Sequence, residues 1–311
     1  MAHKFEYCVA SKPNVPIIRS NGTINTSAAG GLAPATSRSS GEINSSVDDK
    51  TKVIYVDQQA TGIGDGSSWD DAYTTVQAGI NAARYDYGTT DINYNDNHEA
   101  WVFIAPGDYS AEGRIAFSAK NLHIIGLGEP GTDTGVTIRP TSPSTFVFGG
   151  SGTGVEIANL GIFVDSAVYG IYWEQMDGNC NFHDNLIIGD DSTATTGIYT
   201  GGMKGGSKII NNKIRGFATS CVTVAGGADM YFTEAQIDCN QFGAVTTCTD
   251  GVKVGVNVVA ANSSISHNKF IGDNFTETWD VDCTAADVLV ADNWATSNAG
   301  SGGTERDNHE S

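Results

Sequence analysis

NFHDNLIIG (181–189), KIINNKIRG (208–216), QIDCNQFG (236–243), SISHNKFIG (264–272) and LVADNWA (289–295) are variants of one phrase. Each centres on an asparagine: Asn185, Asn212, Asn240, Asn268 and Asn293. The same interval reaches back to Asn159, so the successive spacings are 26, 27, 28, 28 and 25 residues. An apolar residue stands three places before each asparagine of the phrase (Phe182, Ile209, Ile237, Ile265, Val290). Another stands two places after it (Ile187, Ile214, Phe242, Phe270), with the small Ala295 in the last repeat. Glycine follows at four places in Gly189, Gly216 and Gly272. At Asn159 the two apolar places hold Glu156 and Gly161 instead. A period of this size is the signature of a solenoid.

The content of each repeat selects the kind of solenoid. There is room for two or three short strands and no helix-length pattern. Stacked coils of this sort pair their strands in parallel, ~4.8 Å apart, so residues 101–296 predict about seven coils. Asparagine at a fixed phase can occupy a bend, tolerates the left-handed conformation, and offers both a donor and an acceptor to its neighbours along the stack. The six asparagines therefore read as a structural ladder and not as catalytic groups.

Upstream, TKVIYVD predicts a strand. AYTTVQAGINAARY predicts a capping helix, with Tyr73, Val76, Ile80 and Ala83 at helical spacing. WVFIAPGDYS, RIAFSA, NLHIIGLG and VTIRP, between residues 101 and 140, are short β runs broken by turns. Residues 1–50 are polar, small and aperiodic, and predict an extended arm that cannot fold alone. The plan is an arm (1–50), an opening strand and capping helix (51–100), the coils (101–296) and a polar tail (297–311) that either frays, covers the last coil or touches a neighbour.

Composition agrees with an all-β chain. Of 311 residues 38 are glycine and 7 proline, and only 17% are charged, which suits many turns and short strands. Residues 1–50 carry five Lys/Arg and four Asp/Glu, a net charge of +1. The remainder carries 12 and 32, a net charge of −20. An acidic body repels nucleic acid, which excludes direct DNA or RNA binding. No apolar run reaches the ~18 residues of a membrane helix, so no membrane insertion is expected. The opening MAHKFEYCVASKPNVPIIRS has no apolar core of a secretory signal, so synthesis in a host cytoplasm without export is expected.

The chain resembles the right-handed, single-stranded parallel β-helix proteins of the pectate-lyase-like superfamily. The residues that carry the resemblance are YVDQQATGIGDGSSWDDAYTTVQAGINAA (55–83), VFIAPGDY (102–109), NLHIIGLG (121–128) and the asparagine-centred coils, about residues 53–296 in all. The superfamily includes lyases, hydrolases, adhesins and phage spikes, and fold alone does not choose among them.

Its pectate lyases use calcium-binding Asp clusters with an Arg or Lys base. The basic cluster here, Lys204, Lys208, Lys213 and Arg215, has no Asp-Arg-Lys cleft beside it, although Lys213 and Lys269 share a coil phase. Its polygalacturonases carry Asn-Thr-Asp, Asp-Asp, Gly-His-Gly and Arg-Ile-Lys. This chain has Gly189-Asp190-Asp191 alone, and Lys213-Ile214-Arg215 in another order. Asp165 and Asp191, 26 residues apart, fall at one coil phase, so Asp165 with Asp190 or Asp191 is the carboxylate pair to test for glycosidic chemistry. The six cysteines (8, 180, 221, 239, 248, 283) form no Cys-x-x-Cys, which disfavours zinc. Cys221 and Cys248, 27 apart, are expected as stacked, buried, reduced thiols. The six histidines (3, 98, 123, 183, 267, 309) show no ligand spacing. No cofactor and no metal is expected.

The resulting expectation is a non-enzymatic bacteriophage virion protein: a capsid decoration, a head fibre or a short, tailspike-like spike. It would dock on the capsid or another virion protein through residues 1–50, present its β-helix outward, and assemble as a homo-oligomer such as a trimer. A polysaccharide lyase or glycoside hydrolase acting on a host-surface polysaccharide is the alternative. A glycan-binding adhesion module is the second, with Trp69, Trp173, Trp279 and Trp294 as candidate stacking residues.

Overall fold

The structure, a computed structural model, describes residues 51–84, 99–140, 144–165, 167–226, 230–243, 248–255, 259–271, 281–283, 288–295, 304–306 and 309–310. The arm expected over residues 1–50 lies outside the described residues, as do Cys8, His98, Gly272 and Trp279.

Every strand pairing among the described residues is parallel, and the three sheets they build are wound as one parallel β-helix. The first sheet stacks ten strands, from Thr51–Val56 and Glu99–Ile104 through Leu122–Gly126, Asn181–His183 and Gln236–Asp238 to Val288–Ala291 and Thr304–Arg306. Nine strands form the second, among them Gly161–Val164, Leu186–Gly189, Lys213–Arg215, Gln241–Gly243 and Lys269–Ile271. The third is wider. Ser144–Thr153 and Ala167–Asp177 each run its full width, and later coils break it into pairs such as Thr196–Thr200 with Met203–Lys204. Ten strands at ~4.8 Å make a stack ~43 Å long. Within the tail, Thr304–Arg306 pairs with Leu289–Ala291, and His309–Glu310 with Trp294–Ala295, so these two segments extend the stack by one more strand on each of two sheets.

Register explains the repeating phrase. On the first sheet Ile124, Ile157, Phe182, Ile209, Ile237, Ile265 and Val290 stand directly over one another. On the second, Ile138, Ile162, Ile187, Ile214, Phe242 and Phe270 do the same. Phe148, Ile171, Ile198, Val222, Val252 and Val281 form the third column. All are buried. A parallel stack puts like on like, so each apolar residue of the phrase packs on its own homologue, and non-directional burial of these columns is the main stabilising force.

The glycines at the end of the phrase have a steric cause. A Cβ on Gly189 would stand 2.0 Å from the Gly216 carbonyl oxygen on the next coil, which no side chain tolerates.

The helix, Val76–Ala83, is shorter than its periodic stretch and buries Val76, Gly79, Ile80 and Ala83 over the first coil. Its N-terminal donors are capped twice. Thr75 Oγ1 accepts from the Ala78 N–H at 3.3 Å, and the buried Glu112 carboxylate accepts from the N–H groups of Val76 and Gln77. Trp173 is wholly buried against Phe117 and Phe182, which removes it as a sugar-stacking residue. No described helix is long and apolar enough to cross a membrane.

Candidate functional site

The turn between the first and second sheets carries two parallel columns of polar side chains. The inner column holds Asn185, Asn212, Asn240, Asn268 and Asn293, all at most 2% exposed. The Oδ1 of each accepts from the backbone N–H one coil earlier: Leu160 to Asn185 (3.0 Å), Asn185 to Asn212 (3.0 Å), Asn212 to Asn240 (2.9 Å), Asn240 to Asn268 (3.0 Å) and Asn268 to Asn293 (3.0 Å). Each Nδ2 donates to a carbonyl of the preceding coil, as Asn212 does to Phe182 at 2.9 Å. Burial is tolerable because donor and acceptor are both satisfied.

Asn159 is not in that column. The ladder starts at the Leu160 N–H, and Leu160 faces Asn185 in register. Counted from Leu160, the flanking apolar residues are Ile157 and Ile162, so the mismatch at Glu156 and Gly161 marks a frame one residue out. Asn159 belongs to the outer column with Asp184, Asn211, Cys239, His267 and Asp292, all with φ between 52° and 60°. The left-handed turn therefore falls on the residue before each ladder asparagine. That residue's side chain is turned outward.

The frame shift also decides which carboxylates are neighbours. Val164 pairs with Gly189, which aligns Asp165 with Asp190 and not with Asp191. Asp165 pairs with Arg139 at 3.1 Å. Asp190 is committed to its own turn, where its carboxylate accepts from the N–H groups of Ser192 (3.0 Å), Thr193 (2.8 Å) and Ala194 (2.9 Å) and from the Thr193 hydroxyl. Partial burial works against the Asp190 carboxylate, but these donors outweigh it and hold its pKa far down. Asp191 sits at φ 61°. Burial and the adjacent Asp190 charge raise its pKa, against the pull of Arg215. A retaining or inverting hydrolase needs one carboxyl protonated and the other poised on the opposite side of the scissile bond. Here Asp190 is a bound anion and Asp165 an ion-pair partner.

A second cluster arises that linear spacing hides. His123 and Glu156 are register partners on the first sheet, and His183 lies one coil on and two residues along. His123 Nδ1 bonds Glu156 Oε2 (2.5 Å), His123 Nε2 bonds Glu99 Oε1 (3.0 Å), and the far oxygen of Glu156 bonds His183 Nε2 (2.6 Å). His183 Nδ1 then meets Asp184 Oδ2 at 2.6 Å, and Asn211 donates to Asp184 Oδ1. Trp101 stacks on His123 with centroids 4.0 Å apart. Burial opposes both charges, but the two imidazoles pull Glu156 down to about 2, and Asp184 with Glu156 lifts His183 to about 9. The histidines are thus linked through carboxylates across three coils. Their outward alternation with Ile124, Ile157 and Phe182 is the signal that could have found them.

Two surfaces among the described residues stand out as open to a ligand. On the second sheet a groove of about 900 Å³ runs beneath the Glu129–Thr132 segment, with Lys213, Arg215, Gln241 and Ile271 on its floor. Lys213 and Arg215 are exposed cations, and Glu129 and Asp184 share the lining, so the groove carries both signs of charge. On the third sheet Phe146, Tyr172 and Tyr199 form a flat stack. Their centroids lie 5.7 and 5.2 Å apart, the planes are within 11°, Tyr169 is alongside and Arg114 lies over Phe146 at 5.5 Å.

No protein-family model matches the chain, and no curated protein matches it. Solved structures do. The chain is similar to an alginate lyase from Paenibacillus sp. strain FPU-7 (15% identity, TM-score 0.41, 62% of this chain and 68% of that one). It is similar to Escherichia coli ybhc (14%, TM-score 0.44, 84% and 75%). It is also similar to the ORF18 protein of Geobacillus virus E2 (13%, TM-score 0.49, 78% of this chain), of which it spans about half the length, 49%. Likeness at this level bears on fold alone.

Proposed function

We propose that the chain is a non-enzymatic structural protein of a bacteriophage particle, docked on a capsid or other virion protein through residues 1–50 and presenting its β-helix outward as a decoration, head fibre or short spike. The observation that supports this reading is the use to which the acids are put. Of the three carboxylates best placed by sequence for glycosidic chemistry, Asp190 holds a turn and Asp165 an arginine, while the turn between the first and second sheets is spent on a ladder that braces coil to coil. Such a stack is a stiff spacer, and stiffness along one axis is what a particle appendage needs. The test is a deletion of residues 1–50: the remaining coils fold, and the truncated protein is absent from purified particles. Normal incorporation of the truncated protein would overturn the anchoring role.

A second reading, binding of a host-surface polysaccharide without cleavage, is favoured by the row of half-buried rings Phe146, Tyr172 and Tyr199 on the widest sheet, since a tyrosine edge joins an apolar body to a hydroxyl that can hydrogen-bond a sugar. Retention on a glycan array that Tyr172→Ala abolishes, with no shortening of the glycan, would support it. Depolymerisation that Asp191→Asn abolishes would instead make the chain an enzyme.

A further inference from the structure

The outer column changes chemistry at its centre. Near its start, Asp184 and Asn211 satisfy one another by an amide–carboxylate hydrogen bond. At the next two coils the column holds Cys239 and His267, and Asp238 precedes the cysteine. Asp238 closes the first-sheet strand Gln236–Asp238 and pairs in register with Ser266, so Cys239 and His267 occupy the same phase on successive coils, ~4.8 Å apart. Both are held at φ 55° and 53°, and their neighbours Asn240 and Asn268 are locked together beneath them. The bases of all three side chains are therefore fixed by the ladder.

The side chains converge. His267 Nδ1 lies 2.9 Å from Asp238 Oδ1, Cys239 Sγ lies 3.5 Å from Asp238 Oδ2, and one ligand atom from each of the three falls within 4.8 Å of the others. A tetrahedral zinc ion with bonds of ~2.0–2.3 Å spaces its ligand atoms ~3.3–3.6 Å apart. The Cys239–Asp238 separation of 3.5 Å falls in that range and the His267–Asp238 separation of 2.9 Å is short of it, so that pair would open slightly to seat an ion. Supporting contacts of the kind that orient metal ligands are also in place. Ser266 Oγ donates to Asp238 Oδ1 at 3.0 Å, and the second ring nitrogen of His267 faces Asp292 Oδ2 at 3.7 Å from the following coil. Closing that gap to a hydrogen bond would put the ring proton on Nε2 and leave the Nδ1 lone pair for a metal in place of its present contact with Asp238.

We propose that Asp238, Cys239 and His267 form a zinc-class metal site that clips two adjacent coils on the outside of the turn. Thiolate, imidazole and carboxylate together select zinc over magnesium or calcium, which take oxygen alone. Binding releases the thiol proton to solvent and leaves a fourth position for water. Expecting no zinc for want of Cys-x-x-Cys looks only along the chain. In a β-helix the second ligand comes one coil later, 28 residues on from Cys239.

The experiment uses the full chain, reduced and stripped with chelator, titrated with Co²⁺ and then with competing Zn²⁺. The expected result is one equivalent bound with a thiolate-to-cobalt charge-transfer band. Cys239→Ser removes the band, Asp292→Asn weakens binding about tenfold, and Cys8→Ser changes neither. Zinc raises the thermal midpoint of the parent chain but not that of Cys239→Ser, whose far-ultraviolet circular dichroism stays that of the parent. Absence of a thiolate band in the parent, or a band that survives Cys239→Ser, would overturn the assignment.

Discussion

Asn211 and Asn212 are adjacent, chemically identical and structurally opposite, so replacing each in turn isolates what the ladder contributes. Asn212 is 1% exposed. Its Oδ1 accepts from the N–H and Nδ2 of Asn185, each at 3.0 Å. Its Nδ2 donates to the carbonyls of Phe182 (2.9 Å) and Ile210 (3.0 Å) and to Asn240 Oδ1 (3.0 Å). Asn212→Ala leaves the Asn185 N–H buried without this acceptor and takes a donor from two carbonyls. An unsatisfied buried group costs ~1–3 kcal/mol, so the whole change should cost about 2–5 kcal/mol. At ~2–4 °C per kcal/mol for a domain of this size the melting midpoint should fall by roughly 4–20 °C. Asn211 is exposed, at φ 55°, with one bond to Asp184. Glycine adopts that backbone freely, so Asn211→Gly should stay within about 0.5 kcal/mol of the parent. Both can be measured by thermal and urea unfolding followed by circular dichroism. A loss below about 1 kcal/mol for Asn212→Ala, or equal losses for the two variants, would refute the division of the turn into an inner ladder and an outer column.

Three further outcomes follow from the same geometry. The His123–Glu156–His183 network should make stability pH-dependent on both sides. His183, raised to about 9, stabilises fully below its ordinary 6.5 and ceases to as pH rises through 9. Glu156, lowered to about 2, stabilises above its ordinary 4.5 and ceases to as pH falls through 2. The alkaline fall should amount to up to about 3 kcal/mol and be flattened in His183→Gln; an unchanged pH profile in that variant would count against the network. Gly189→Ala should destabilise by about 1–3 kcal/mol, because the Gly216 carbonyl must move to admit a methyl group. A neutral result would mean the coils are looser there than the structure shows. Asp190→Ala should lower the melting midpoint by releasing three N–H groups, whereas a chain that loses glycan cleavage with no change in melting would restore Asp190 as a catalytic candidate.

The coils were legible because a parallel stack repeats its demands. The interior columns at Phe182, Ile209 and Ile237 must each meet their homologue, so the requirement is written into every repeat. The frame is ambiguous at its first member because asparagine occurs at both turn positions. Asn159 satisfies the spacing, but Leu160 takes the ladder place, and the Asp165–Asp191 pairing inherited that one-residue error. The last two strands were hidden for a different reason. Residues 297–303 are polar and small, and only the edge left by Val288–Ala291 and Trp294–Ala295 gives Thr304–Arg306 and His309–Glu310 something to pair with. Clusters such as Glu156 between two histidines leave little linear trace. Their members lie 33 and 27 residues apart, and only register makes them neighbours.

The most direct test of the proposed role separates intact particles from soluble material in the source culture and looks for this chain by peptide mass spectrometry. The virion assignment predicts stoichiometric peptides, including those from residues 1–50, in the purified particle fraction, with a copy number that distinguishes decoration from spike. Peptides confined to the soluble fraction would contradict it and turn attention to polysaccharide cleavage.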